Sequence, residues 1–91
     1  MIKVTKIQPE AGSRLNLQFS DGTAGIYDCA TLLAEPGPMI APLKDRAYFD
    51  QVFLESGAPT WPNGFDLAPW ALHRELADSK SLRPVNASAA E

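Results

Sequence analysis

The stretch "RLNLQFSDGTAGIYD", Arg14 to Asp28, restricts the fold more than any other part of the chain. Leu15, Leu17 and Phe19 alternate with Arg14, Asn16 and Gln18, the period-two pattern of a strand with one buried face. Asp21-Gly22 follows, and an Asp-Gly pair between alternating runs supplies the positive-φ backbone that a tight hairpin turn demands. The segment Thr23–Asp28 should therefore return antiparallel to its predecessor. Upstream, "MIKVTKIQP" places Ile2, Val4 and, after a polar gap, Ile7 on an apolar side. This predicts another strand, bulged near Lys6 and Ile7 and stopped by Pro9. The three together form a meander with one wet face.

The remainder alternates short elements with turn chemistry, as eight prolines and six glycines in 91 residues require. Asp28 is placed to cap a short helix over 29–34 by accepting from the orphan amides of its first turn. "EPGPMIAP" is too rich in proline to be regular. "LKDRAYF" predicts one helical turn with Leu43, Ala47 and Phe49 inward. "DQVFLESG" predicts a fourth strand and "APTW" a fifth, joined through Gly57. After the turn at Pro62-Asn63-Gly64, Asp66 is expected to cap the last helix, near Leu67–Leu76, with Pro69 in its first turn. From Ala77 the chain is small, polar and aperiodic. The expected fold class is α+β: a small antiparallel sheet of four to five strands, meander plus hairpin. One main C-terminal helix packs on it, and a short helix follows the third strand. The boundaries are a single domain over 1–77 and a flexible tail over 78–91.

Charge narrows the functional classes. The net charge is −3, and the eight Lys and Arg residues are scattered along the chain. Nucleic-acid binding usually needs a clustered basic surface that displaces counterions from phosphates, so only convergence of Lys3, Lys6 and Arg14 would support it. A single cysteine, Cys29, rules out an intramolecular disulfide, and Met1 leads straight into strand-like sequence, so a cytoplasmic protein is expected. No apolar run approaches the ~20 residues of a membrane-spanning helix.

Catalytic and metal chemistry find little support. Cys29 and His73 lie in no nucleophile motif, and one Cys with one His cannot build a Cys/His zinc site in one chain. Asp21, Asp28 and Asp66 are all accounted for by turns and caps. Neither a catalytic residue, nor a metal ligand, nor a cofactor is expected.

"TWPNGFDLAPWALHREL", Thr60 to Leu76, holds both tryptophans. Pro62 stiffens the entry, and Asn63-Gly64 tolerates positive φ, so the segment has a structural purpose without a ligand. At about 100° per residue, however, Trp70 points well away from the side shared by Leu72 and Leu76. An outward tryptophan marks an interface, unless it folds back over the loop 36–42. Met39 and Ile40 in that loop either cover Trp70 or join it in one exposed patch.

Four landmarks in order, "LQFSDGTAGIYD", "TLL" with a Gly-Pro loop, "LKDRAYFDQV" and "WPNGFDLAPWALH", carry a family resemblance. The chain resembles the small bacterial family catalogued as domain of unknown function 2442 over about residues 3–76. Asp21, Gly22, Leu43, Asp45, Phe49, Trp61, Pro62, Asn63, Gly64, Asp66, Pro69 and Leu72 sit on its pattern. Trp70 stands where a polar or acidic residue is expected, and His73 where Tyr is common. The resemblance implies a small antiparallel α+β domain with no established enzymatic activity. Some relatives are fused to a helix-turn-helix, which the residues after Leu76 do not offer. Others are encoded beside a small companion protein in a toxin–antitoxin-like arrangement. The expected function is thus a non-enzymatic binding module with a protein partner, antitoxin-like or adaptor. One alternative is a regulatory module contributing to DNA binding as an oligomer. Another is a small-molecule binder with a pocket beneath the Trp-Pro-Asn-Gly turn. A homodimer through the edge strand "MIKVTKI" is also expected.

Overall fold

The computed structural model of the chain describes residues 1–85. Strands β1 (Val4–Glu10), β2 (Arg14–Phe19) and β3 (Thr23–Asp28) form the antiparallel meander that the alternation dictates. At the Asp-Gly turn Gly22 takes φ 87°, and Asp21 Oδ1 accepts from both the amide and the hydroxyl of Thr23. Leu15, Leu17 and Phe19 are all buried. Fully burying each such side chain contributes about 1.5–3 kcal/mol relative to leaving it in water.

The register of β1 against β2 shifts between Val4 and Lys6, so the polar gap in the sequence is a bulge. The extra residue lets Val4 be buried while Ile7 packs against the same core. Pro9 does not end β1 as expected; it pairs with Leu15 inside the strand. It is tolerated because β1 is the outer strand of its sheet, paired within it only with β2, where a missing ladder donor costs little.

After β3 comes α1 (Ala30–Leu33), preceded by Asp28, whose carboxylate accepts from the amide of Ala30. A 3₁₀ turn over Ala41–Lys44 leads into α2 (Arg46–Phe49), capped by Asp45, which accepts from the amide of Tyr48. Leu43 and Phe49 point inward, but Ala47 is exposed, because the break between the two turns rotates the helical face.

Strands β4 (Phe53–Glu55) and β5 (Ala58–Thr60) pair only with each other, as a separate two-stranded sheet. Their turn holds Ser56 and Gly57 at φ 52° and 84°, the pattern of a hairpin whose twist matches its strands. Gly57 also meets β1: its carbonyl accepts from Val4 at 2.8 Å, and a Cβ there would lie 2.7 Å from that of Lys3. Only glycine permits that approach.

The main helix, α3, spans Pro69–Asp78, with Pro69 in its first turn and Ala68 as its N-cap. Asp66 is therefore not the cap. Its backbone instead bridges to Thr60, which delays the helix by two residues. Leu72 and Leu76 are buried towards the sheet, Leu76 directly over Gly25. The chain then returns: β6 (Arg83–Pro84) pairs with Thr23 and Ala24 of β3, and Leu82 packs on the core. Residues 78–85, assigned by composition to a tail, thus supply the end of α3 and the sheet's last strand. The remainder of that tail, 86–91, lies outside the described residues.

Candidate interaction surface

The two tryptophans of the Thr60–Leu76 segment have opposite fates. Trp61 is fully buried, packed between Phe49 and Phe65 at centroid distances of 5.8 and 6.0 Å. Its indole Nε1 donates to the carbonyl of Phe49 at 3.0 Å, so the one polar atom taken into the core is paired. The turn that follows is closed by hydrogen bonds. Asn63 Oδ1 accepts from the amide of Phe65, Trp61 donates its amide to the carbonyl of Phe65, and Gly64 takes φ 89°. Pro62 stays exposed at the entry. Asn63 Nδ2 then donates to the carbonyl of Met39 at 3.0 Å, pinning the proline-rich loop to the turn. Beneath the turn the rings of Phe49, Trp61 and Phe65 pack on one another.

Trp70, on the first turn of α3, is 62% exposed. Loop 36–42 does not cover it. Arg74, one helical turn further on, is exposed too, and neither a hydrogen bond nor an ion pair engages its side chain among the described residues. Met39 is exposed, whereas Ile40 is buried at the end of the same loop. Ile40 is thus corrected to the core: the 3₁₀ turn that begins at Ala41 swings it inward beside Leu43. Of the three residues expected on the surface patch, Trp70 and Met39 remain on the surface.

The other chemistry-bearing residues are spent on the fold. Cys29 is fully buried, and burial first, then the neighbouring Asp28 carboxylate, pushes its thiol up to about 12. His73 Nε2 lies 2.8 Å from Asp21 Oδ2, and its ring stands edge-on to Phe19 at 5.1 Å. This contact ties α3 to the Asp-Gly turn and shares no hydrogen bond with Cys29. Asp21 and His73 lie 52 positions apart, and the only sequence signal for their contact is an Asp at a hairpin tip with a lone His on the helix packed against that hairpin. Tyr27 likewise meets Glu75 across the sheet–helix boundary, and burial, then that carboxylate, raises its hydroxyl to about 12. No group of three or more metal-ligating side chains occurs among the described residues, and no helix is long and apolar enough to cross a membrane.

Lys3, Lys6 and Arg14 do not form one basic surface. In register, Lys6 faces Gln18, whereas Arg14 stands between Glu10 and Asp28, two carboxylates on adjacent strands. Arg46 closes the free end of β1 by donating to the carbonyls of Glu10 and Gly12. With Val4 bonded to Gly57 and Pro9 lacking an N–H, the edge of β1 is blunted against pairing with another strand.

These features define a small antiparallel α+β domain whose polar groups mostly serve its own turns and whose main helix shows an aromatic residue to solvent. The chain belongs to the family described as "Protein of unknown function (DUF2442)", whose profile matches residues 4–77. No curated protein and no solved structure matches it.

Proposed function

We propose that this protein is a non-enzymatic binding module that engages another protein through the outward face of α3, in an antitoxin-like or adaptor role. The observation that carries the reading is Trp70, 62% exposed on a helix whose opposite side is fixed to the core by Leu72 and Leu76. Trp and Arg are the residue types most enriched where binding energy concentrates, and Trp70 and Arg74 share one helical face. Covering the exposed part of an indole removes roughly 100–150 Å² of largely apolar surface, about 3 kcal/mol or some hundredfold in affinity. An aromatic side chain left in water contributes nothing comparable to the stability of the isolated domain. The antitoxin-like or adaptor role comes from the family, some members of which are encoded beside a small companion protein, and is an analogy of context.

The test is affinity co-purification of the tagged protein from cells of its own source, with Trp70→Glu alongside. The variant should retain the circular dichroism and melting of the parent. One stoichiometric protein that accompanies the parent and is lost with the variant supports the proposal. A protein retained equally by both, or none with either, contradicts it.

A further inference from the structure

We propose that the outer face of the main sheet carries a second, separate site: a shallow groove for a small organic carboxylate with a short hydrocarbon chain. The groove has a volume of about 480 Å³ and is lined by Lys6, Ile7, Gln8, Asn16, Gln18 and Leu54. That volume lies within the range of small-molecule sites. The register explains how the lining is assembled. Lys6 stands opposite Gln18 and Gln8 opposite Asn16, so the four polar side chains occupy adjacent positions on the face away from Leu15 and Leu17. Leu54, from the β4–β5 hairpin docked beside β1, adds an apolar wall at the edge of the groove.

The polar side chains of this groove make few hydrogen bonds to the protein itself and stand open to exchange water for a ligand. Gln8 and Gln18 make no side-chain hydrogen bond among the described residues, and Asn16 makes only a long one, 3.5 Å to Glu10. Lys6 has no ion pair there, while the neighbouring carboxylate, Glu10, is directed to Asn16. An ammonium group and three carboxamides present many more N–H donors than committed acceptors. The complementary ligand brings acceptor oxygens and negative charge to Lys6 and the amides, and hydrocarbon to Leu54 at the groove's edge. A short-chain carboxylate has both ends; an amine or a neutral alcohol has one. The groove is open to water, so a ligand of this size should bind with a Kd on the order of 1 mM.

The experiment is a titration of the full-length, ¹⁵N-labelled protein with hexanoate, following the side-chain amide signals of Gln8, Asn16 and Gln18 by NMR. Hexylammonium and 1-hexanol serve as parallel probes. Saturable shifts confined to the groove with hexanoate, weakened about tenfold in Lys6→Met and in Leu54→Ser but not in Lys3→Met, would establish the site. Backbone spectra outside the groove must be unchanged in each variant, and Lys6, being exposed, can be replaced without touching the core. Absence of saturation, equal binding of hexanol, or full affinity in Lys6→Met would overturn it.

Discussion

Replacing Trp61 by Phe tests directly whether the Trp-Pro-Asn-Gly turn is a structural element. The indole is fully buried between Phe49 and Phe65 and donates to the carbonyl of Phe49. A phenyl ring keeps the aromatic character but loses that hydrogen bond, a net ~1 kcal/mol. It also loses roughly two ring carbons' worth of buried apolar volume, at about 0.8 kcal/mol each. The Phe49 carbonyl also accepts from Val52 at 3.3 Å, so it is not orphaned and no further penalty is added. The sum is about 2–3 kcal/mol, a large share of the ~5–14 kcal/mol expected for a domain of this length. For a chain this small it corresponds to a fall of roughly 10–20 °C in Tm. Trp70→Phe, by contrast, should change stability by no more than about 0.5 kcal/mol. Each variant keeps one tryptophan, so urea unfolding can be followed by circular dichroism and by fluorescence in parallel. Equal stability of the two variants, or a greater loss in Trp70→Phe, would refute the assignment of Trp61 to the core and Trp70 to the surface.

Other perturbations follow from the same packing. Asp21 accepts first from the Thr23 hydroxyl and also faces His73, and its carboxyl is held below the ordinary 3.8. A depressed carboxyl stabilises the fold above its unfolded value, and that contribution is lost as pH falls through the folded one. The gap in urea midpoint between the parent and Asp21→Asn should therefore narrow as pH drops below about 4. Cys29 is raised to about 12 from an ordinary 9.0, so its neutral thiol favours the fold below pH 9.0, and this contribution declines as pH rises towards about 12. Its thiol should resist a disulfide reagent at pH 8 in buffer and react at once in urea; rapid native labelling would place Cys29 at the surface. At Gly25, an added Cβ would lie 3.1 Å from both Leu76 Cδ1 and the backbone carbonyl of Ser81. Gly25→Ala should cost about 1–3 kcal/mol in urea unfolding, because the backbone between α3 and β6 must shift.

The parts of the fold legible in the sequence are those that depend on local period and turn chemistry. Leu15, Leu17 and Phe19 could face only one way, and Asp21-Gly22 could hardly do anything but reverse the chain. Other features escaped, and the largest of them are governed by non-local context. Pro9 is admissible in a strand only because β1 lies at the sheet's edge, a property of strand order. Asp66 has a good cap residue's chemistry but is held by its bridge to Thr60, so Ala68 takes the cap position. Arg83 and Pro84 lack any strand signal and are ordered by the open edge of β3. The surface was half visible: helical period alone turned Trp70 outward, but no periodicity exists in loop 36–42 to separate Met39 from Ile40. The Asp21–His73 tie joins residues 52 positions apart and follows only from the packing of α3 on the hairpin.

The proposed role of the α3 face is tested most directly by photo-cross-linking in living source cells. A benzophenone amino acid is placed at position 70 and, as a control, at Phe53, which is exposed on the β4–β5 hairpin. A partner held by the outward face of α3 gives one cross-linked protein from position 70 and none from position 53. No product from position 70, or the same product from both positions, would contradict it.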